Sequence, residues 1–458
     1  MSLLDSSDPR PIHFVGAGGA GMSALAELFV RRGARVTGCD AVGGNADLER
    51  LGMPVHTGHD AAHAEQARAL VVTSAMPPDH PEVARARALG LPVIRRAEAL
   101  AEAVSGGRVI GVAGTHGKTT TTVMTTEALA AAGLAPTGIV GARVAAWRGN
   151  LSAGGDALFV VEADEYDRSF LALTPDIAIV TNIEADHLDT YRDLDDIRAA
   201  FGDFVRRARA LVPCADDPNA AVLRAATGAQ VIRYGLESAH ARLTARDVRL
   251  VDGGSTFTPV FDGEALSPVT LRVPGRHNVL NALAALGAGL ALGAESARLA
   301  AGLARFEGVE RRFQRVGEAR GVTVVDDYAH HPTEIRATLA AARAAFPGRR
   351  LVAAFQPHLY TRTRDLAVAF GGALAGADLV FLTEIYPARE QPLPGVTSEL
   401  IVRAMRNASA PLAWRGGRGQ LAAALAAAVR EGDVVLTLGA GDITRTGPEL
   451  LAHLAADR

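Results

Sequence analysis

Hydrophobic and polar positions follow two alternating rhythms along this chain of 458 residues. Short apolar runs have strand length, and between them apolar residues recur with the period of one helix face. Repeated from end to end, the alternation predicts βαβ units and parallel sheets, an α/β protein. In a first block, strands are expected at 12–15, 35–39 and 70–74, with a helix from a glycine-rich turn to Arg32; the block closes near 105–107. A second block opens with a strand at 109–113 and a helix beginning near Lys118, followed by strands at 157–162 and 177–181. The stretch 231–273, rich in Thr, Val, Asp and Gly, reads as short antiparallel strands. A third block has strands at 322–325, 351–355, 379–383 and 434–438 between Ala-rich helices. The pattern thus partitions the chain into domains at 1–106, 107–311 and 312–458.

Composition narrows the classes. With 48% hydrophobic and 21% charged residues, a disordered or collagen-like polymer is excluded. The net charge is −3 and no long block of like charge occurs, which argues against nucleic-acid and membrane partners. Cys39 and Cys214 are isolated, without metal-ligand spacing, as expected in a reducing cytoplasm and not in a disulfide scaffold. The start of the chain, with Asp5 and Asp8, lacks the basic and apolar regions of a signal peptide, and the Gly/Ala run at 282–294 is too short to span a bilayer. Of the 47 basic residues, a single one is lysine, Lys118.

Two glycine loops follow predicted strands. Gly16-Ala-Gly18-Gly19-Ala-Gly21 is a GxGxxG with Asp40 at the end of the next strand. Such glycines let the backbone approach a diphosphate at a helix N-terminus while the acid binds a ribose hydroxyl; a tight βα turn without ligand is the alternative. Gly114-Thr115-His116-Gly117-Lys118-Thr119-Thr120 departs from GxxxxGK[ST], because Val112 replaces the first glycine. Its amides can still cradle a triphosphate, with Lys118 on the β/γ oxygens and the Thr119 hydroxyl on Mg²⁺. A compact ammonium suits that nest where a broad guanidinium does not, which explains one lysine among arginines.

Carboxylates and a histidine follow two later strands, in Glu162-Ala-Asp164-Glu165-Tyr-Asp167 and Asn182-Ile-Glu184-Ala-Asp186-His187-Leu-Asp189. Beside a phosphate loop they suit Mg²⁺; the alternative is two solvated acidic loops. Asn278 and Asn281 start a helix and either cap it or read an adenine edge. Polar clusters then follow strands of the third block: Asp326-Asp327-Tyr328-Ala-His330-His331, Gln356-Pro-His358-Leu359-Tyr360-Thr-Arg362-Thr-Arg364 and Gly439-Ala-Gly441-Asp442.

Taken together, the first glycine loop, Gly114-Thr-His-Gly-Lys-Thr-Thr-Thr-Thr122, Thr181-Asn-Ile-Glu-Ala-Asp-His-Leu-Asp-Thr-Tyr191 and Asp326-Asp-Tyr-Ala-His-His-Pro332 resemble the Mur ligase family over nearly the whole chain. The resemblance implies an N-terminal Rossmann-like domain for a UDP-sugar, a central P-loop ATPase-like mixed sheet and a C-terminal Rossmann-like domain. It implies a cytoplasmic ligase, monomer or homodimer, that uses ATP and Mg²⁺ or Mn²⁺ to join L-alanine to the lactyl carboxylate of UDP-N-acetylmuramate through an acyl phosphate. By the same resemblance, Gly114 to Thr120 hold ATP, Asn278 and Asn281 contact adenine, Arg312 the phosphates and Asp327 the ribose. Thr119, Glu162 and His187 are metal ligands. Gly16, Gly18, Gly19, Gly21, Asp40, Ser74 and His187 face the UDP-sugar, and His330 and Arg362 the alanine carboxylate. Lys118, Glu162, His187, Arg312 and His330 are expected to be catalytic.

Two departures from the family pattern bear on this. Leu359 stands where relatives often carry arginine, which shifts carboxylate binding to Arg362 or Arg364. No second lysine is present to be carbamylated, as later members of the family require. Rival readings are a recycling ligase that adds a tripeptide to the same sugar, an NAD-dependent dehydrogenase built on the first loop, and an ATP-dependent switch. The dehydrogenase leaves the Lys118 loop unexplained.

Overall fold

The computed structural model describes every residue except 1, 2, 4–7, 74, 75, 78, 252, 408–410, 457 and 458. The chain divides into two compact units, Met1–Val248 with Phe257–Thr270 and Leu280–Phe306, and Arg249–Thr256 with Leu271–Val279 and Glu307–Arg458.

The first unit contains two large sheets. In the first, five parallel strands lie in the order Val55–Thr57, Val36–Asp40, Ile12–Val15, Ala69–Val72, Val93–Arg95. The sequence order is 3-2-1-4-5, as in a Rossmann half, so the turn after Ile12–Val15 sits where the strand order reverses. Alternation along the strands separates two faces. Ile12, Phe14 and Val71 share a core with Leu25 and Phe29 of the helix Ala20–Arg31, whereas Val15, Cys39, Leu70 and Val72 pack with Ala64, Val83 and Ala86. His13 lies on the second face by the same alternation and is buried.

The second sheet has seven strands, in the order Gln230–Val231, Ala210–Pro213, Ile177–Val180, Arg108–Ala113, Leu158–Glu162, Thr137–Val144, Gly149–Ser152. All neighbouring pairs are parallel except the last, which makes the sheet mixed. Residues 230–231 belong here, parallel to Ala210–Pro213, and correct the antiparallel expectation at that end of 231–273. The remainder forms the short strands Leu243–Val251, Gly254–Phe261, Glu264–Ala265 and Val269–Leu271, with Gly254–Phe261 antiparallel to Glu264–Ala265. The helix Lys118–Ala131 tolerates its threonine run because buried hydroxyls find partners within it: Thr122, Thr125 and Thr126 donate to the carbonyls of Lys118, Thr121 and Thr122.

The second unit carries a six-stranded sheet in the order Gln314–Ala319, Val322–Asp327, Val434–Leu438, Leu351–Phe355, Leu379–Thr383, Leu412–Gly416. Only the Gln314–Ala319 edge is antiparallel. The loops after Val322–Asp327, Leu351–Phe355 and Val434–Leu438 therefore leave the same end of the sheet, which gathers the polar clusters of the third block. Among the described residues no helix is long and apolar enough to cross a membrane. Both cysteines are free and buried.

Candidate nucleotide and ligase site

The phosphate-type loop joins Arg108–Ala113 to the helix Lys118–Ala131, and its shape depends on two glycines. Gly114 has φ +143° and Gly117 φ +81°; a methyl group on Gly117 would stand 2.9 Å from Asn281 Oδ1. Glycine alone adopts such angles without cost. The segment after Ile177–Val180 pins the loop. Asn182 O and Oδ1 accept the amides of Thr115 and His116 at 3.0 and 2.8 Å, and Thr181 Oγ1 donates to His116 O at 2.6 Å. Gly117 is the N-cap of the helix and supplies no side-chain cap, which leaves the first turn suited to an anion.

Lys118 Nζ donates to Gly114 O at 2.7 Å and to Glu165 Oε2 at 2.6 Å, with Asp164 at 3.9 Å. Burial pulls the ammonium down, but the carboxylates of Glu165 and Asp164 outweigh it and the net shift is upward. Lys118 is thus a fixed positive charge. Burial pushes Glu165 up to about 7 against the pull of Lys118. Glu165 Oε1 is buried without a hydrogen-bond partner and lies 3.7 Å from His187 Nε2. His187 itself occupies the left-handed region at φ +55° and stacks edge-on against Tyr166. On the other side of the loop, Thr119 Oγ1 donates to Glu162 Oε1 at 2.8 Å, and Gly141 N donates to Glu162 Oε2 at 2.6 Å.

The structure brings Lys118, Thr119, Glu162 and His187 around one loop, and adds Glu165, an acid of the same run to which the sequence assigns no role. Its signal was its place in an acidic run at a strand end. Hydroxyl and carboxylate oxygens at Thr119 and Glu162 are donors of the hard type that magnesium takes, and the orphaned Glu165 oxygen beside His187 leaves room for a further cation contact. These residues fit such a dication.

Neither asparagine caps its helix. The helix starts at Arg276, so both lie inside it; Asn278 Nδ2 donates to Pro274 O at 2.7 Å. Asn281 Oδ1 accepts from Thr121 Oγ1 at 3.1 Å and rests against Gly117.

In the first glycine loop, Gly16 has φ +80°, and the amides of Gly16 and Ala17 donate to Cys39 O. Asp40 turns both oxygens to backbone amides, Oδ2 to Gly18 at 3.0 Å and Oδ1 to Val42 at 3.1 Å. A methyl group on Gly18 would collide with that carboxylate at 2.8 Å. Gly19 is the N-cap of Ala20–Arg31 and has no side chain to cover its amides; Gly21 faces Arg96. A cleft lined by Gly18, Gly19, Asp40, Asn45, Asp47 and Arg143 opens beside the loop. Ser74 lies outside the described residues.

Within the second unit, Asp327 is buried and accepts amides on both oxygens, from Ala329 and Phe313, each at 2.8 Å. Burial pushes its carboxyl up to about 6, against the Arg312 guanidinium. Arg312 stacks on the Tyr328 ring at 5.0 Å and approaches Glu334 at 3.6 Å. His330 Nδ1 contacts Tyr328 O at 3.0 Å, and its ring meets those of Tyr328 and His358 edge-on. Arg362 is buried and donates to His358 Nδ1 at 3.3 Å. Arg364, by contrast, is exposed and forks onto Asp365, so of the two arginines Arg362 is the one that contacts His358, whose ring lies 5.9 Å from that of His330. Leu359 is buried as well, at φ +69°.

A strand–glycine loop–helix with a buried lysine, an oxygen-lined flank and a second glycine loop on a Rossmann-ordered sheet defines a nucleotide-using α/β protein. Family profiles match in three segments: "Mur ligase family, catalytic domain" over 11–108, "Mur ligase middle domain" over 112–289 and "Mur ligase, glutamate ligase domain" over 311–441. The chain is 46% identical to a UDP-N-acetylmuramate–L-alanine ligase of Streptomyces avermitilis, covering 99% of each. It is equally identical to one of Laribacter hongkongensis, covering 97% of this chain and 98% of that protein. Among solved structures it is similar to the UDP-N-acetylmuramate-alanine ligase of Thermotoga maritima, at TM-score 0.84 and 29% identity over 98% of this chain and 100% of that one. A murein peptide ligase of Psychrobacter arcticus matches with TM-score 0.73 and 25% identity over 98% and 99%. The chain belongs to the Mur ligase family.

Proposed function

We propose that this chain is an ATP-dependent ligase that joins L-alanine to the lactyl carboxylate of UDP-N-acetylmuramate, releasing ADP and phosphate. The observation that carries the reading is the Lys118 nest, in a chain that aligns from end to end with curated relatives bearing that name. A carboxylate must be activated before an amine can displace its oxygen. Its oxygen takes the γ-phosphoryl group of ATP; the alanine nitrogen then attacks the acyl carbon, and the C–N bond forms as phosphate leaves.

Each step crowds negative charge, so the protein's part is positive charge and orientation. Lys118 exchanges Glu165 for phosphate oxygens, while Gly114 to Thr120 offer amides. Thr119 and Glu162 would hold a magnesium or manganese ion, with His187 and Glu165 beside a second; bound there, the metal neutralises phosphate charge. The turn of Gly16, Gly18, Gly19 and Gly21 takes the diphosphate of the UDP-sugar at the start of Ala20–Arg31, where no side chain caps the helix. Arg312 serves the ATP phosphates, Asp327 the ribose, Asn278 and Asn281 the adenine, and His330 with Arg362 the alanine carboxylate. Each Asp327 oxygen already accepts one backbone amide and keeps a second lone pair for a ribose hydroxyl.

The deciding measurement is phosphate release with ATP and UDP-N-acetylmuramate, with L-alanine or with a tripeptide as acceptor. Turnover with L-alanine is expected. Turnover with the tripeptide alone would assign the chain to the recycling branch of the family.

A further inference from the structure

Far from the phosphate loop in sequence, four elements of the N-terminal sheet and its helices converge on one buried carboxylate. Glu82, from the helix Pro81–Ala88, is fully buried. Around it stand His13 from Ile12–Val15, Cys39 from Val36–Asp40 and His63 from Ala62–Gln66. His13 Nε2 lies 3.4 Å from Cys39 Sγ and 3.3 Å from Glu82 Oε2. Cys39 Sγ lies 3.1 Å from Glu82 Oε1, and His63 Nδ1 3.2 Å from that oxygen. Donor atoms of all four side chains fall within 4.8 Å of one another.

We propose that His13, Cys39, His63 and Glu82 form a metal site for a transition-metal dication of the zinc class, separate from the nucleotide site. Bonds of about 2.1 Å to a tetrahedral zinc place neighbouring ligand atoms about 3.4 Å apart. Four of the six ligand pairs, taking either Glu82 oxygen, lie at 3.1 to 3.4 Å, near that edge, and the other two fall within 4.8 Å. Hydrogen bonding accounts for the cluster less well. Glu82 Oε1 alone is approached by Cys39 Sγ, His63 Nδ1, His59 Nδ1 at 3.3 Å and Asp60 N at 3.2 Å, twice as many donors as a carboxylate oxygen has lone pairs. Sulfur and imidazole nitrogen select zinc-like ions over magnesium. The surroundings also hold the ligands as a metal site requires: His13 Nδ1 meets Thr37 Oγ1 at 2.9 Å, fixing its ring, and His63 stacks between the rings of His56 and His13. His63 is 18% exposed and gives the ion a way in.

The test is titration of the chelator-treated full chain with Co²⁺. One equivalent is expected to produce a thiolate-to-cobalt charge-transfer band, displaced by Zn²⁺, with a rise in melting temperature. The band should vanish in Cys39→Ser and persist in Cys214→Ser. The ligand at the solvent edge supplies a second variant: His63→Gln should weaken Co²⁺ binding at least tenfold while circular dichroism stays native. Thr119, Glu162 and His187 carry no thiol, so metal at the nucleotide site cannot give the band. Absence of the band in the parent chain, its survival in Cys39→Ser, or unchanged affinity in His63→Gln would overturn the site.

Discussion

Lys118 is the residue on which the most can be decided. Its ammonium fits between a loop carbonyl and Glu165, a space shaped for a compact cation. Lys118→Arg keeps the charge and changes only the shape, so amino-acid-dependent phosphate release should fall by at least about a thousandfold with the melting temperature nearly unchanged. Near-parental turnover would mean that the loop is not the phosphate site. A different residue sets a pH dependence. Burial, and then the Arg312 guanidinium, lower His277 to about 4 from an ordinary 6.5. Between those values the unfolded chain takes up a proton that the folded chain refuses. The stability His277 provides is therefore complete above pH 6.5 and is lost as pH falls toward 4. Asp327, raised to about 6, acts with the opposite sign over part of that range. The comparison to make is urea unfolding of His277→Asn against the parent at pH 7 and pH 5: the variant should lose less stability on acidification.

At the scale of elements, the strands best read from sequence are the central ones, Ile12–Val15, Leu351–Phe355, Leu379–Thr383 and Val434–Leu438, each found with its expected limits. They are buried on both faces and so read as unbroken apolar runs. Edge strands such as Gln314–Ala319 and Leu412–Gly416 are half-exposed, and Gly149–Ser152, though buried, carries Gly, Asn and Ser around one leucine, so none left such a run to find. Backbone angles are invisible to periodicity altogether. The helix Tyr360–Leu374 is entered through Leu359 at φ +69° and ψ +139°, a conformation that costs a side-chain-bearing residue about 1–3 kcal/mol. Leu359→Gly relieves that strain and loses the buried side chain, whereas Leu359→Ala only loses it. The glycine variant should therefore be the more stable of the two by about 1 kcal/mol in urea unfolding, against the usual order. Gly117→Ala tests the other helix start. With φ +81° and Asn281 Oδ1 at 2.9 Å, the added methyl should raise the KM for ATP at least tenfold, leaving secondary structure intact.

Across the whole molecule, what the sequence showed well was whatever is contiguous. The two glycine loops and the polar strand ends are runs of neighbours, and the structure places them at strand ends as expected. Sites assembled from distant positions were not legible. Cys39 reads as isolated because its neighbours, His13, His63 and Glu82, come from separate elements and share no spacing along the chain. Glu165 shows the intermediate case, visible as one acid among several but marked out only by its contact with Lys118. Asp40 and Asp327 show the reverse: both sit where ligand-binding acids belong, and both already hold the backbone of their own loops.

The single lysine also makes the chain an unusual object for amine-directed chemistry. Apart from the α-amino group, the folded protein offers one acylation target, and that target is 12% exposed and held charged by Glu165. Beyond the α-amino tag, acyl groups should accumulate slowly on the folded chain and only at Lys118, still more slowly with bound nucleotide. Intact mass spectrometry then reads phosphate-loop occupancy as zero or one tag beyond that on the α-amino group, on a surface whose arginines remain unmarked.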